Sequence, residues 1–215
     1  MIKLIIFDHD MTVVDSSWAI MASFNAIAER EGLPKVSHEL TMKYIAEPLA
    51  GLSKGLLGEY RPEWGKFYRE DNGEFERKLI KPFEDTVPTL EKLRSMNIKT
   101  AIVSNRDRPS RALNNTGLAK YFDVIVGAFE PYGKLAYKPA PDMINALLND
   151  LKISKENAVY VGDADIDIQT AINSNVRGIG ITKGNFTAEN FLAMGAWKSI
   201  NSLHELIEIV KKDAA

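Results

Sequence analysis

Four short runs of consecutive apolar residues organise the chain: KLIIF at 3–7, KTAIVS at 99–104, DVIVG at 123–127 and AVYVG at 158–162, with a weaker fifth, RGIGIT, at 177–182. A continuous apolar run of four to eight residues, bounded by polar or turn residues, matches a strand buried on both faces. Between most of these runs lie stretches whose apolar positions recur at helical spacing, such as TVPTLEKLRSM, APDMINALLNDL and DIQTAINSN. Strands alternating with helices predict an α/β fold, a Rossmann-like, doubly wound and mostly parallel sheet with helices on both faces.

The alternation breaks once. From about Asp15 to Ile80 there is no strand pattern, only the helical segments SWAIMASFNAIAEREG, SHELTMKYIAEPLAGLSKGLL and PEWGKFYREDNGEFERKLI, punctuated by Gly32, Gly51, Gly58 and Gly73 and by Pro34, Pro48 and Pro62. The chain therefore divides into a core of residues 1–14 and 82–215 and a small helical insertion of residues 15–81. KPFEDT (81–86) reads as the return linker, and the tail KKDAA as frayed.

Composition narrows the partners. The 215 residues carry 27 basic and 29 acidic side chains, interspersed along the chain, for a formal net charge of -2. Nucleic acid and anionic membranes both call for a concentrated positive field, so neither is expected as a partner. The absence of cysteine excludes disulfides, a thiolate nucleophile and cysteine-ligated metal. The apolar start MIKLIIF stops at Asp8, and no later run approaches the length of a membrane span, so a cytoplasmic location is expected. A small molecule is left as the partner; the oligomeric state is not written in these features.

In a parallel sheet the carboxyl ends of the strands share one edge, where ligands bind. Past the first strand this chain places Asp8, Asp10 and Thr12; past the second, Ser104 and Asn105; past the fourth, Asp163, Asp165 and Asp167. Lys138 opens the helical stretch that follows the third. Each group alone is an ordinary turn or helix-cap set. Together they have a charge logic: clustered carboxylates repel and are costly to bury unless a cation compensates. An all-oxygen set of this kind suits Mg²⁺, which takes one or two carboxylates and bridges to substrate phosphate. Lys138, Ser104 and Asn105 can hold the phosphate oxygens that a metal does not reach. No Gly-Lys-Ser or Gly-Lys-Thr triplet is present, so a Walker-type nucleotide site has no support.

The ordered motifs D-x-D-x-T at 8–12, Ser104 at a strand end, Lys138 opening a helix and G-D-x-x-x-D at 162–167 resemble those of the haloacid dehalogenase-like (HAD) hydrolase superfamily. The layout is most similar to its phosphoglycolate-phosphatase-like and beta-phosphoglucomutase-like members, whose small helical cap matches the insertion. The resemblance implies a Mg²⁺-dependent phosphatase acting on a small phosphorylated metabolite. Asp8 would be the nucleophile that becomes an aspartyl-phosphate, and Asp10 the acid and then base. Ser104 and Lys138 would serve catalysis, and Thr12, Ser104, Asn105 and Lys138 would hold phosphate. The metal would rest on Asp8, Asp10 through its carbonyl, and Asp163, with Asp167 one layer out, steadying a metal-bound water or Lys138.

Two departures stand in the first motif. Met11 replaces the usual glycine and His9 an apolar residue; His9 is expected to point away from both aspartates and serve structure. Asp165 reads as a helix N-terminal acid, and His38 and His204 as surface or core residues. Trp18, Lys43, Tyr44, Glu47, Lys54 and Arg61 are candidate cap contacts to substrate, and RDRPSR (106–111) is either a helix start or a source of phosphate-binding arginines. A phosphomutase would use the same Asp8 chemistry. A halide-releasing dehalogenase would need neither metal nor Asp10. A non-hydrolytic phospho-acceptor would not need the insertion, and a mere binding protein would not need the complete set of Asp8, Asp10 and Lys138.

Overall fold

The computed structural model describes residues 1–70 and 73–214. From the N-terminus, β1 (Leu4–Phe7) leads through β2 (Val14–Asp15) into five helices, α1 (Ser17–Glu31), α2 (His38–Tyr44), α3 (Leu49–Leu57), α4 (Pro62–Glu70) and α5 (Gly73–Leu79), and back through β3 (Lys81–Pro82). There follow α6 (Thr86–Ser95), β4 (Lys99–Val103), α7 (Ser110–Asn115), β5 (Val124–Val126), α8 (Asp142–Leu151), β6 (Ala158–Gly162), α9 (Asp165–Ser174), β7 (Arg177–Ile181), α10 (Ala188–Ala193), β8 (Lys198–Ile200) and α11 (Glu205–Ala214).

Six parallel strands form one sheet in the order β5-β4-β1-β6-β7-β8. Phe7 lies opposite Ile102 on one side and Val161 on the other. The register therefore brings Asp8, Ser104 and Asp163 to the same edge, at the point where the strand order reverses. The continuous apolar strands are explained by cover on both faces. Ile5 and Phe7 join Leu90 and Leu93 of α6 and Leu206 and Val210 of α11. Leu4 and Ile6 join Met143, Ile144 and Leu147 of α8. Full burial of each such side chain contributes about 1.5–3 kcal/mol. The sixth strand, β8, lacks an apolar run: it has three residues at the sheet edge, of which only Ile200 is buried.

The helices α1 to α5 have a core of their own. α1 buries Ile20, Phe24 and Ile27, spaced four and three apart, against Leu52, Leu56 and Trp64. It begins where Asp15 Oδ1 accepts from the Ser17 backbone N–H at 3.0 Å and ends at Gly32, whose φ of 67° closes the last turn. The second helical segment divides into α2 and α3 before Leu49, because Pro48 cannot continue a helix. The helical reading across 71–72 and the last residue of the tail lie outside the described residues. β2 and β3 pair antiparallel, Val14 with Pro82 and Asp15 with Lys81, so the helical segment leaves and rejoins at one place.

The expectation of a frayed tail does not hold for residues 211–214, which continue α11. Asp213 accepts from Arg177 Nη1 and from the Ile2 backbone N–H, both at 2.6 Å, tying the C-terminal helix to the sheet. No helix among the described residues is long and apolar enough to cross a membrane.

Gly180 in β7 has a packing reason for its missing side chain: a Cβ there would lie 2.1 Å from Cγ of the fully buried Phe191. Gly180→Ala is expected to destabilise the protein by about 1–3 kcal/mol through overpacking, read as a lower urea midpoint at unchanged slope.

Candidate active site

The site is assembled around one buried ammonium. Lys138 Nζ donates to Asp8 Oδ1 and to Asp167 Oδ1, each at 2.7 Å, and lies 3.2 Å from the Tyr160 hydroxyl, which matches its three hydrogens to three acceptors. Asp8 follows β1, its backbone N–H donating to Val161 O at 2.8 Å. Asp167 lies in the first turn of α9, where its Oδ2 accepts from the Ala164 N–H at 3.1 Å. Gly162 makes room for it, since a Cβ there would lie 2.2 Å from Asp167 Cγ. The Asn105 side chain accepts from the Lys138 backbone N–H at 2.7 Å and so fixes the lysine's approach.

Carboxylate oxygens of Asp8, Asp163 and Asp167 all lie within 4.8 Å of one another, and all three residues are buried. Three carboxylates, when all are ionised, exceed the one ammonium by two negative charges in a buried place. Burial first, then the charges of Asp167 and Asp10, push the Asp8 carboxyl up to about 7 despite the opposing Lys138. Burial and its neighbours Asp167 and Asp8 raise Asp163 well above the carboxylate range. Burial works against the charge of Lys138, yet Asp167 and Asp8 outweigh it and raise its pKa. The donor set and its excess charge fit a divalent cation with oxygen ligands.

Asp10 lies outside this cluster. Arg106 grips it side-on, Nε at 2.8 Å from Oδ2 and Nη2 at 2.9 Å from Oδ1. Burial alone would raise the Asp10 carboxyl, but Arg106, aided by His9, holds it well below the usual range. His9 departs from expectation: its Nδ1 comes within 3.1 Å of Asp10 Oδ1. The strand's alternation ends at Phe7, and the chain curls as Met11 N–H bonds Val14 O at 2.8 Å, so period-two reasoning stops applying. Met11 takes φ 56°, the left-handed conformation that favours the family's glycine and costs another residue about 1–2 kcal/mol. Its side chain is buried in the core of the helical segment, beside Ile20 and Phe24.

A cavity of about 720 Å³ opens over these groups, and Asp8, Asp10, Ser104, Asn105, Lys138 and Asp163 line it. Thr12 does not: fully buried, it donates to Asp163 Oδ1 at 3.1 Å and supports a carboxylate rather than facing a phosphate. Asp167 likewise stands behind the cavity wall on Lys138, and Asp165 sits in the first turn of α9 as expected of a helix acid. Of the six candidate cap contacts only Glu47 lines the cavity. Arg61 turns to Glu31 and Glu59, and Trp18 stacks on His38. His204 meets Thr89 at 3.1 Å, away from the site.

Sequence reasoning missed Tyr160 and Glu76. Tyr160 sits inside an apolar strand run, and Glu76 in a helix that reads as exposed. Arg106 had a signal, the RDRPSR run directly after Ser104 and Asn105, and Arg106, Asp107, Arg108, Ser110 and Arg111 all line the cavity.

Residues 5–181 match the sequence profile of the haloacid dehalogenase-like hydrolases. The chain is 32% identical over 170 residues to the phosphoglycolate phosphatase of Aquifex aeolicus, covering 78% of each chain. It is 30% identical over 178 residues to the pyrophosphatase PpaX of Halalkalibacterium halodurans, covering 82% of this chain and 81% of the relative. The solved structure of a haloacid dehalogenase-like family hydrolase from Streptococcus pneumoniae shares the fold, with a TM-score of 0.80 at 20% identity over 97% of this chain and 98% of that one. The chain belongs to the haloacid dehalogenase-like hydrolases.

The raised Asp8 carboxyl carries a linkage consequence. Its folded pKa of about 7 lies above the unfolded 3.8, so the stability tied to its neutral form is complete below 3.8 and is lost as pH rises through about 7. A divalent cation that binds the ionised cluster should therefore raise Tm more at about pH 8 than at about pH 5, in thermal melts with and without the cation.

Proposed function

We propose that the protein is a Mg²⁺-dependent phosphatase that hydrolyses a small phosphate monoester through an aspartyl-phosphate on Asp8. The observation that carries this reading is the buried Asp8 carboxylate at the strand edge. One oxygen is held by Lys138, and Asp163 and Asp167 stand within 4.8 Å. A carboxylate is a nucleophile without further activation, and a covalent intermediate divides one hard displacement into two easier ones.

In the first step Asp8 forms a bond to phosphorus, the bond to the leaving oxygen breaks, and Asp10 gives that oxygen a proton. In the second, water attacks the phosphorus, Asp10 takes the water's proton, and the bond to Asp8 breaks. Lys138 offsets charge on the oxygens of the transferring group. When bound on Asp8, the Asp10 carbonyl and Asp163, Mg²⁺ supplies further positive charge against those oxygens. Asp10 as it stands here, ion-paired to Arg106, is in its base form, the form the second step uses. The first step requires Arg106 to loosen its hold, so that the proton can reside on Asp10.

Residues 15–81 act as the cap over a core of 1–14 and 82–215. The two parts meet over the cavity, where Glu76 takes Arg106 and Arg69 takes Asp107 at 2.8 Å, and again outside its lining, where Asn185 Nδ2 donates to Met42 O at 2.7 Å. Closure of this kind keeps water from the first step and admits small substrates. Phosphoglycolate and pyrophosphate, named for two relatives, are of that size.

Asp8→Asn is expected to lower phosphate release from an aryl phosphate by about 10³-fold or more, with the melting transition retained. Turnover unchanged in this variant would eliminate the mechanism. Activity should vanish with chelator and return with Mg²⁺, and a sugar phosphate should yield free phosphate without an isomerised product.

A further inference from the structure

The arginines over the cavity are both anchored on Glu76 and still have donors to give. Glu76, its side chain 2% exposed, takes two guanidiniums at once: Arg106 Nη1 at its Oε1 and Arg111 Nε at its Oε2, each at 2.8 Å. A guanidinium carries five N–H donors. Arg106 commits Nε and one Nη2 hydrogen to Asp10 and one Nη1 hydrogen to Glu76. One N–H on each of its terminal nitrogens is left without an acceptor among the described residues. Arg111 commits Nε to Glu76 and one Nη1 hydrogen to the Arg69 carbonyl, which leaves three. Both arginines line the cavity. Its acid Glu130 is turned aside onto the Ser110 N–H and hydroxyl. Asp107 is likewise taken up, by Arg69 and the Tyr137 hydroxyl. The helical segment contributes the apolar side chains of Ile20, Ile45, Leu49 and Leu52 to the lining, with one carboxylate among them, Glu47.

Position decides what these donors meet. The leaving oxygen of a bound ester must lie at Asp10, and Arg106 is in contact with Asp10. Whatever is attached to that oxygen therefore extends between a largely apolar wall and two guanidinium forks, whose geometry matches a carboxylate or a phosphate. We infer that Arg106 and Arg111, clamped by Glu76, seat a second anionic group on the leaving side of the substrate. The preferred substrates are small phosphoric esters or anhydrides that carry a carboxylate or another phosphate. This assignment rests on the phosphatase reading above; Glu76 is a positioning residue and touches no substrate.

The test compares kcat/KM for phosphoglycolate, pyrophosphate and phenyl phosphate in the wild type, Arg111→Gln and Glu76→Gln. The wild type is expected to prefer the substrates with a second anion, and Arg111→Gln to reduce that preference by about 10- to 100-fold, chiefly through KM. Glu76→Gln should erode the same ratio in the same direction, and Arg111→Lys, which keeps the charge without the fork, should recover part of it. The larger wild-type preference, for phosphoglycolate or for pyrophosphate, identifies the anion as carboxylate or phosphate. A wild type that hydrolyses phenyl phosphate as well as the others overturns the inference and leaves the phosphatase standing. So does an Arg111→Gln variant that loses all three activities in equal proportion. If the folded wild type releases phosphate from none of the three, the phosphatase reading fails and takes this inference with it.

Discussion

The buried ammonium of Lys138 is the contact on which the rest of the site depends. It stands between Asp8 after β1 and Asp167 in α9, with Tyr160 beneath and its own backbone N–H held by Asn105 after β4. Groups from separate parts of the chain are thereby fixed around one charge. Removing one partner of a buried ion pair typically costs about 3–5 kcal/mol, because the other is left uncompensated. The lysine offsets only part of the acid charge, however, and the remainder fits a cation with oxygen ligands. The same excess charge that weighs on the fold thus prepares the chemistry.

Two aspartates two residues apart are driven in opposite directions by what faces them. Asp8 meets burial and other acids and is pushed up; Asp10, slightly less enclosed, meets a guanidinium side-on and is pulled down. Divergence of this sort is how a fold assigns different proton roles to identical side chains. Arg106 makes the assignment depend on the helical segment, since the same guanidinium also reaches Glu76 on α5. The charge state of Asp10 and the placement of α5 thus share one side chain.

How much could be read from the sequence follows from the range of each interaction. Strands β1, β4 and β6 were legible because burial on both faces leaves an unbroken apolar run. Of the two three-residue edge strands, β5 was legible because it is Val-Ile-Val, and β8 was not, because Lys198 and Ser199 leave it a single apolar residue. That Asp8, Lys138 and Asp163 come together was legible because a parallel sheet brings its strand ends to one edge whatever the details. Thr12 and His9 were misjudged: side-chain direction depends on the curl after Asp8, which period-two alternation does not describe. Glu76 and Tyr160 left no trace. A carboxylate buried by two arginines from another part of the chain looks, in sequence, like any solvated helix residue. A tyrosine in a core strand likewise looks like packing until its hydroxyl is seen 2.9 Å from Asp167.

Met11 shows how the core and the helical segment share a cost. Glycine would take the left-handed turn after Asp10 freely, whereas methionine is strained there by about 1–2 kcal/mol. Its side chain is buried with Ile20, Phe24 and Trp64, and burial of a methionine contributes about 1.5–3 kcal/mol, enough to offset the strain. That compensation comes from the helical segment and not from the sheet. A displacement of those helices would therefore withdraw support from the turn that positions Asp10, as well as pulling Glu76 from Arg106. Two independent contacts, one apolar and one ionic, make the placement of Asp10 depend on the helical segment.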